Sequence, residues 1–377
     1  MRYLLLAAVA ALAPAASYGG SESPTFKATE TGTPKIKSIQ AIAFGPNGVL
    51  LIGDGAGAQV VAIDTKDTTA KAWKAKALTK FDETIADKLG TTAKNVEIQQ
   101  MAVNPASGKV YLAVRKQDEK KTVLLSVDGD GKIGEVSLEN VAHVVVPLPG
   151  VDASKPTVTR VTDLAWAKDR ILVGAASTEE FGSKVYTIPT PLDPKNKASG
   201  YSVETYHVAH GRWETKAPMS TIVPFESGGK QYVVGAFVCT PVVRYSLDKV
   251  KPGEKVKGES VVELGHGNQP RHMFTYKKGD KSYLLVSSRR VFHAKQPIGP
   301  SEFWVARVDM DLLNETSKIN KDAHWRVTPR TVKHVSDKIK VVTDYHGTVH
   351  MNKLDDKQAV VIKKDKTGWT LTALDLP

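Results

Sequence analysis

Histidine and arginine are the residues of this chain best suited to chemistry, and they crowd into its second half. Seven of the ten histidines fall after residue 260. A guanidinium grips a carboxylate, sulfate or phosphate through paired hydrogen bonds. Arg212, Arg271, Arg289 and Arg290, with Asp163, are therefore candidate ligand-binding residues. The competing reading pairs these arginines with Glu179, Glu180, Glu214 or Asp344. Three imidazoles around an open position suit a catalytic zinc or copper ion. His210, His272 and His346 are the candidate ligands for such a centre, with Cys239 as a weaker one. A free cysteine at the end of an apolar strand also reads as a buried inert thiol.

Local motifs add little. Along a strand, residues three apart point to opposite faces, so His207-x-x-His210 does not form a ligand pair there. His346 and His350 on one strand face would stand roughly 13 Å apart, too far for one ion with ligands at about 2.1 Å. The acids of SVDGDGKIGE (126–135) stop too soon for a calcium loop, and GDGAGA (53–58) joins two strands with no helix behind it. The chain holds no GxSxG, HExxH or CxxCH.

The elements that must position these residues repeat six times. AIAFGPNGVLLIGD (41–54) is echoed by MAVNPASGKVYLAV (101–114), each a strand, a tight turn and a second strand. Equivalent turn positions fall at Pro46, Pro105, Lys168, Glu226, Lys277 and Lys353. The second strands, such as VLLIGD, VYLAVR and YVVGAF, are near-continuous apolar runs, which indicates burial on both faces. In the first strands the apolar column ends at Val349 in the last copy, and His350 follows it in a small-residue core column. The polar positions upstream, Gln99, Asp163, Arg271, His272 and Thr348 among them, approach a channel mouth. The expected fold is an all-β, six-bladed β-propeller. WTLTALDLP leaves the last blade one strand short, and a strand near Thr25–Thr29 is expected to complete it and close the ring. Ile85–Leu89 reads as a turn of helix before the second blade.

Composition is that of an ordinary globular protein, 41% hydrophobic and 24% charged. The opening residues MRYLLLAAVAALAPAAS fit a signal peptide over residues 1–17, with one propeller over 22–377. Their apolar run is too short to span a membrane, so the expectation is an exported protein, periplasmic or extracellular. One cysteine excludes an internal disulfide. The net charge of +12 is spread along the chain, without the basic stripe and interleaved aromatics of a nucleic-acid binder.

FGPNGVLLIGD and MAVNPASGKVYLAV resemble the secreted propellers grouped as NHL-, TolB- or YncE-like. That resemblance implies the propeller and covers the mature chain, but its motifs describe blade construction. The group includes binding scaffolds, lactonases and lyases, so it leaves two functions open. One is capture of a protein partner or small anion on the face built by the blade 4–6 loops. The other is a zinc- or copper-dependent lyase, hydrolase or oxidoreductase, for which the resemblance to propeller amidating lyases implies histidines contributed by separate blades.

Overall fold

The computed structural model describes residues 25–377 apart from 153, 239–240, 249–250, 266, 296–299, 318 and 326–337. The expected signal peptide and Cys239 lie outside the described residues. Six sheets, antiparallel but for the parallel pairing of Lys255–Lys257 with Ser199–His207, form a propeller ring. Their innermost strands are Ala41–Phe44, Val96–Val103, Val158–Trp166, Met219–Ser227, Asn268–Lys278 and Thr348–Lys353. We number the blades 1 to 6 by these strands in chain order. The second strands are apolar on both faces because each blade is sandwiched between two others, and all of Val49–Asp54 is buried.

Around the ring the blades do not follow chain order. The inner strand of blade 1 packs on those of blades 2 and 3, and that of blade 6 on those of blades 5 and 2. The spatial order is therefore 2, 1, 3, 4, 5, 6. Six apolar layers fill the gaps between neighbours. Leu51 and Val173 share the layer between blades 1 and 3, Ile52 and Ala113 that between 1 and 2, and Leu112 and Val360 that between 2 and 6. Gly53 is bare because blade 3 comes so close: a Cβ there would lie 2.4 Å from Val161 Cγ1.

Blades 1, 2 and 6 are tied together by exchanged segments. The strand Val141–Pro147, which follows blade 2, pairs with Gln59–Asp64 as the outer strand of blade 1. Glu30–Gly32 pairs outside it. The N-terminal strand thus extends blade 1 and does not complete blade 6, contrary to the expectation from sequence. The open edge of blade 6 is already taken, since Leu78 exchanges two backbone hydrogen bonds with Leu371, at 2.9 and 3.0 Å. The chain reaches that edge from blade 1 by running along blade 2, where the Lys71 and Lys74 amides donate to the Ser107 and Gly129 carbonyls. A helix, Phe81–Lys88, then buries Phe81, Ile85 and Ala86 against blades 2 and 6. Asp82 and Glu83 in its first turn and Lys88 in its last complement the helix dipole. The Asp82 carboxylate accepts the Trp369 amide at 3.2 Å, pinning the helix to the last strand.

One register differs from the sequence reading. Met351 pairs with Val361 as Met273 pairs with Val286 and Met101 with Leu112. Met351, not Val349, is therefore the equivalent of those methionines, and the equivalent turn position is Asp355, not Lys353. The shift places His350 in the column of His272, facing the channel.

Candidate anion site at the channel mouth

Five of the six inner strands carry a bulge at the same height, where Gln99, Thr162, Ser220, Arg271 and Val349 are skipped in the pairing. A bulge re-aims the side chains beside it. Here it turns Gln100, Asp163, Thr221, His272 and His350 toward the axis and leaves backbone groups of each bulge to be satisfied. Much of that is done across blades. Asp163 accepts from the Thr221 hydroxyl at 2.6 Å and the Ile222 amide at 2.9 Å. Gln40 accepts the Val161 amide at 3.0 Å. The His272 ring reaches the Val349 backbone, and the His350 ring reaches that of Ile98.

Burial governs the charge state of these groups. It raises Asp163 to about 6 against the bonds that oppose it. Burial, then the charge of Arg271, lowers His272 to about 3. Burial, then His272 and Arg271, holds His350 well below the ordinary histidine value. The two neutral rings lie 4.9 Å apart. His272 Nε2, His350 Nδ1 and Thr162 Oγ1 are buried with no hydrogen-bond partner among the described residues.

Above this layer the channel opens into a cavity of about 270 Å³ lined by Gln40, Gln99, Arg160, Gln269, Arg271 and His272. Below it lies a second cavity, about 510 Å³, with a more apolar wall that includes Phe44, Trp166, Met273 and Met351. Among the described residues, the wall of the upper cavity holds Arg160 and Arg271 and no carboxylate. Arg271 is half-buried, and its Nε donates only to the Val349 carbonyl, at 3.3 Å. Burial, then the charges of Arg289 and Arg160, lower its pKa. Among the described residues no carboxylate lies within ion-pair distance of Arg160 or Arg271.

The other residues singled out from sequence are dispersed. Arg212 donates to Glu214 at 3.0 Å and Arg289 to Glu302 at 2.6 Å. Arg290 donates to the Ser301 carbonyl and lies over the Trp304 ring, where burial lowers it to about 10. His346 lines a rim cleft with His293, Phe303 and Lys363. His210 stands on the outer rim beside His207 and Glu214. Among the described residues His210, His272 and His346 are not gathered within reach of one ion. The sequence pattern places His350 in a packed core column, through the slipped register, and does not mark Arg160, Gln99 or Gln269 as ligand groups. Their shared place beside the bulges was the available signal.

No family model matches the chain, and no curated protein sequence matches it. Among solved structures it is similar to xyloglucan PUL GH43B of Bacteroides ovatus, at 13% identity and a TM-score of 0.36 over 75% of this chain and 53% of that one. The chain thus spans about half the length of that protein. A variant of B. subtilis levansucrase gives 10% identity and a TM-score of 0.35 over 82% and 95%. An α-L-arabinofuranosidase of Clostridium thermocellum gives 12% and 0.33 over 72% and 91%. At such scores none of them carries a functional residue across.

Proposed function

We propose that this protein is an exported propeller of the NHL-, TolB- or YncE-like kind that binds a small anion at the upper mouth of its channel. The observation that carries the reading is the pair Arg160 and Arg271, facing one cavity without a carboxylate between them. Like charges held together, Arg271 half-buried and Arg160 exposed, favour an anion that neutralises both, and two guanidiniums can each offer it paired donors. Gln40, Gln99 and Gln269 supply neutral polar groups around the same space. A cavity of about 270 Å³ suits a compact carboxylate, sulfate or phosphate. Asp163, His272 and His350 act beneath it as ties between blades.

Calorimetric titration of the full chain with phosphate, sulfate and citrate, at low ionic strength, tests this. At least one of these should bind and raise Tm. A charge-assisted hydrogen bond contributes about 1.5–3 kcal/mol, so Arg271→Gln should weaken binding by roughly 10- to 150-fold. Arg160→Gln, at an exposed position, should weaken it as well with little change in stability. The reading fails if none of the three anions binds, or if both variants bind as the parent does.

A further inference from the structure

A second cluster lies away from the channel, on the outer rim between blades 3 and 4. Blade 3's outer strand, Ser199–His207, ends at His207. One turn of 3-10 helix follows, Val208–His210, and then Gly211 at φ +65°, a left-handed conformation that suits glycine. The chain doubles back as Arg212–Glu214, which pairs antiparallel with the strand it has just left. The separation that would put His207 and His210 on opposite faces of a strand is thereby undone. Their rings lie 3.9 Å apart, and Glu214 Oε1 sits 3.1 Å from His210 Nδ1.

We infer that His207, His210 and Glu214 form a binding site for one zinc-class divalent cation. Each can offer one ligand atom, and these atoms all lie within 4.8 Å of one another. Ligands at about 2.1 Å from a tetrahedral ion are spaced somewhat closer than that. His210 and Glu214 are at the surface, where small rotations can close the difference. Two imidazoles and a carboxylate are a donor set that selects zinc or a neighbouring transition metal over calcium or magnesium, and a fourth position is left for solvent or a ligand.

The surroundings supply what such sites need behind the ligands. Glu263, buried at 2% exposure, places Oε2 3.8 Å from His207 Nε2. Its carboxylate is held by the Val208 and Ala209 amides, at 2.5 and 3.2 Å. At 3.8 Å from Nε2 the carboxylate acts on the ring through its charge, which favours a cation beside it. Arg212 Nε donates at 3.0 Å to the same Glu214 oxygen, Oε1, that faces His210, and steadies that carboxylate. The Trp213 ring packs edge-on against Tyr206, fixing the hairpin that carries all three ligands.

Untagged full chain, stripped with a chelator and dialysed, is titrated with zinc chloride by calorimetry and with cobalt chloride by visible absorption. One equivalent of each should bind at pH 7.5. Cobalt should show the intense bands of a low-coordinate site. His210→Ala and Glu214→Gln, both at surface positions, should each weaken zinc by roughly tenfold or more with Tm unchanged in the absence of metal. His346→Ala should bind as the parent does. Absence of stoichiometric metal in the parent overturns the inference, as does full-strength binding by His210→Ala and Glu214→Gln together.

Discussion

Acidification from pH 7 toward pH 4 is expected to destabilise the ring, with histidines as the first cause. His272 and His350 are neutral in the fold and protonate near 6.5 once unfolded. Their stabilising contribution is complete above that value and is lost as pH falls toward the folded value, which for His272 is about 3. Each histidine removes about 1.4 kcal/mol per pH unit within its window. Asp163 works the other way, because its folded pKa is raised to about 6 from an ordinary 3.8. Between those values it contributes about 1.4 kcal/mol per pH unit of added stability as pH falls. His272 alone offsets the aspartate between pH 6 and pH 4, and His350, whose shift has the same sign, tips the balance to a net loss of stability. Below pH 4.5 Glu179, lowered to about 2 by Lys184, Thr157 and two backbone amides against its burial, adds to the loss. Denaturant titrations across this range provide the check. His272→Gln/His350→Gln should flatten the dependence of stability on pH, while Asp163→Asn should steepen it. A parent equally stable at pH 5 and pH 7, or an unchanged slope in the histidine double variant, would refute the account.

The second large effect should come from Phe81. Its side chain is fully buried in the layer that joins the linker helix to blades 2 and 6, beside Ile85 and Leu371. Phe81→Ala removes a ring from a packed site and should cost about 3–5 kcal/mol. Because the helix and Leu78 together cover the edge of blade 6, this loss should also expose the strand Gly368–Asp375 to protease before the rest of the ring. Lys88→Ala on the outer side of the same helix serves as the control, with an expected change within about 0.5 kcal/mol. Equal stability of Phe81→Ala and the parent would show that the helix is not part of the closure.

The blade count was legible because double burial writes itself into each second strand as an unbroken apolar run. Blade order was not, because every blade offers the same apolar faces and nothing in VLLIGD or VYLAVR says which neighbour covers them. The slip of two residues in blade 6 has a local cause. Its turn is Leu354–Asp355–Asp356–Lys357, without the proline or glycine that marks the turns after Phe44 and Val103. The histidines and arginines were visible as types, but their partners depend on the bulges and on the left-handed turn at Gly211. Those features decide that Arg289 meets Glu302, that Arg271 has no carboxylate within ion-pair distance among the described residues, and that His207 meets His210.

The exchanged segments around blades 1, 2 and 6 bear on the order in which the chain can acquire its structure. The linker helix emerges from the ribosome soon after blade 1, yet the strand it docks against lies 287 residues further on, counted from Asp82 to Trp369. Blade 2 can cover part of Phe81 and Ile85 at once, but the rest of that face must stay open, or be held by a chaperone, until blade 6 is made. Ring closure therefore acts as a test of completeness: a nascent or truncated chain lacking blade 6 advertises an apolar helix face, and only the finished ring conceals it.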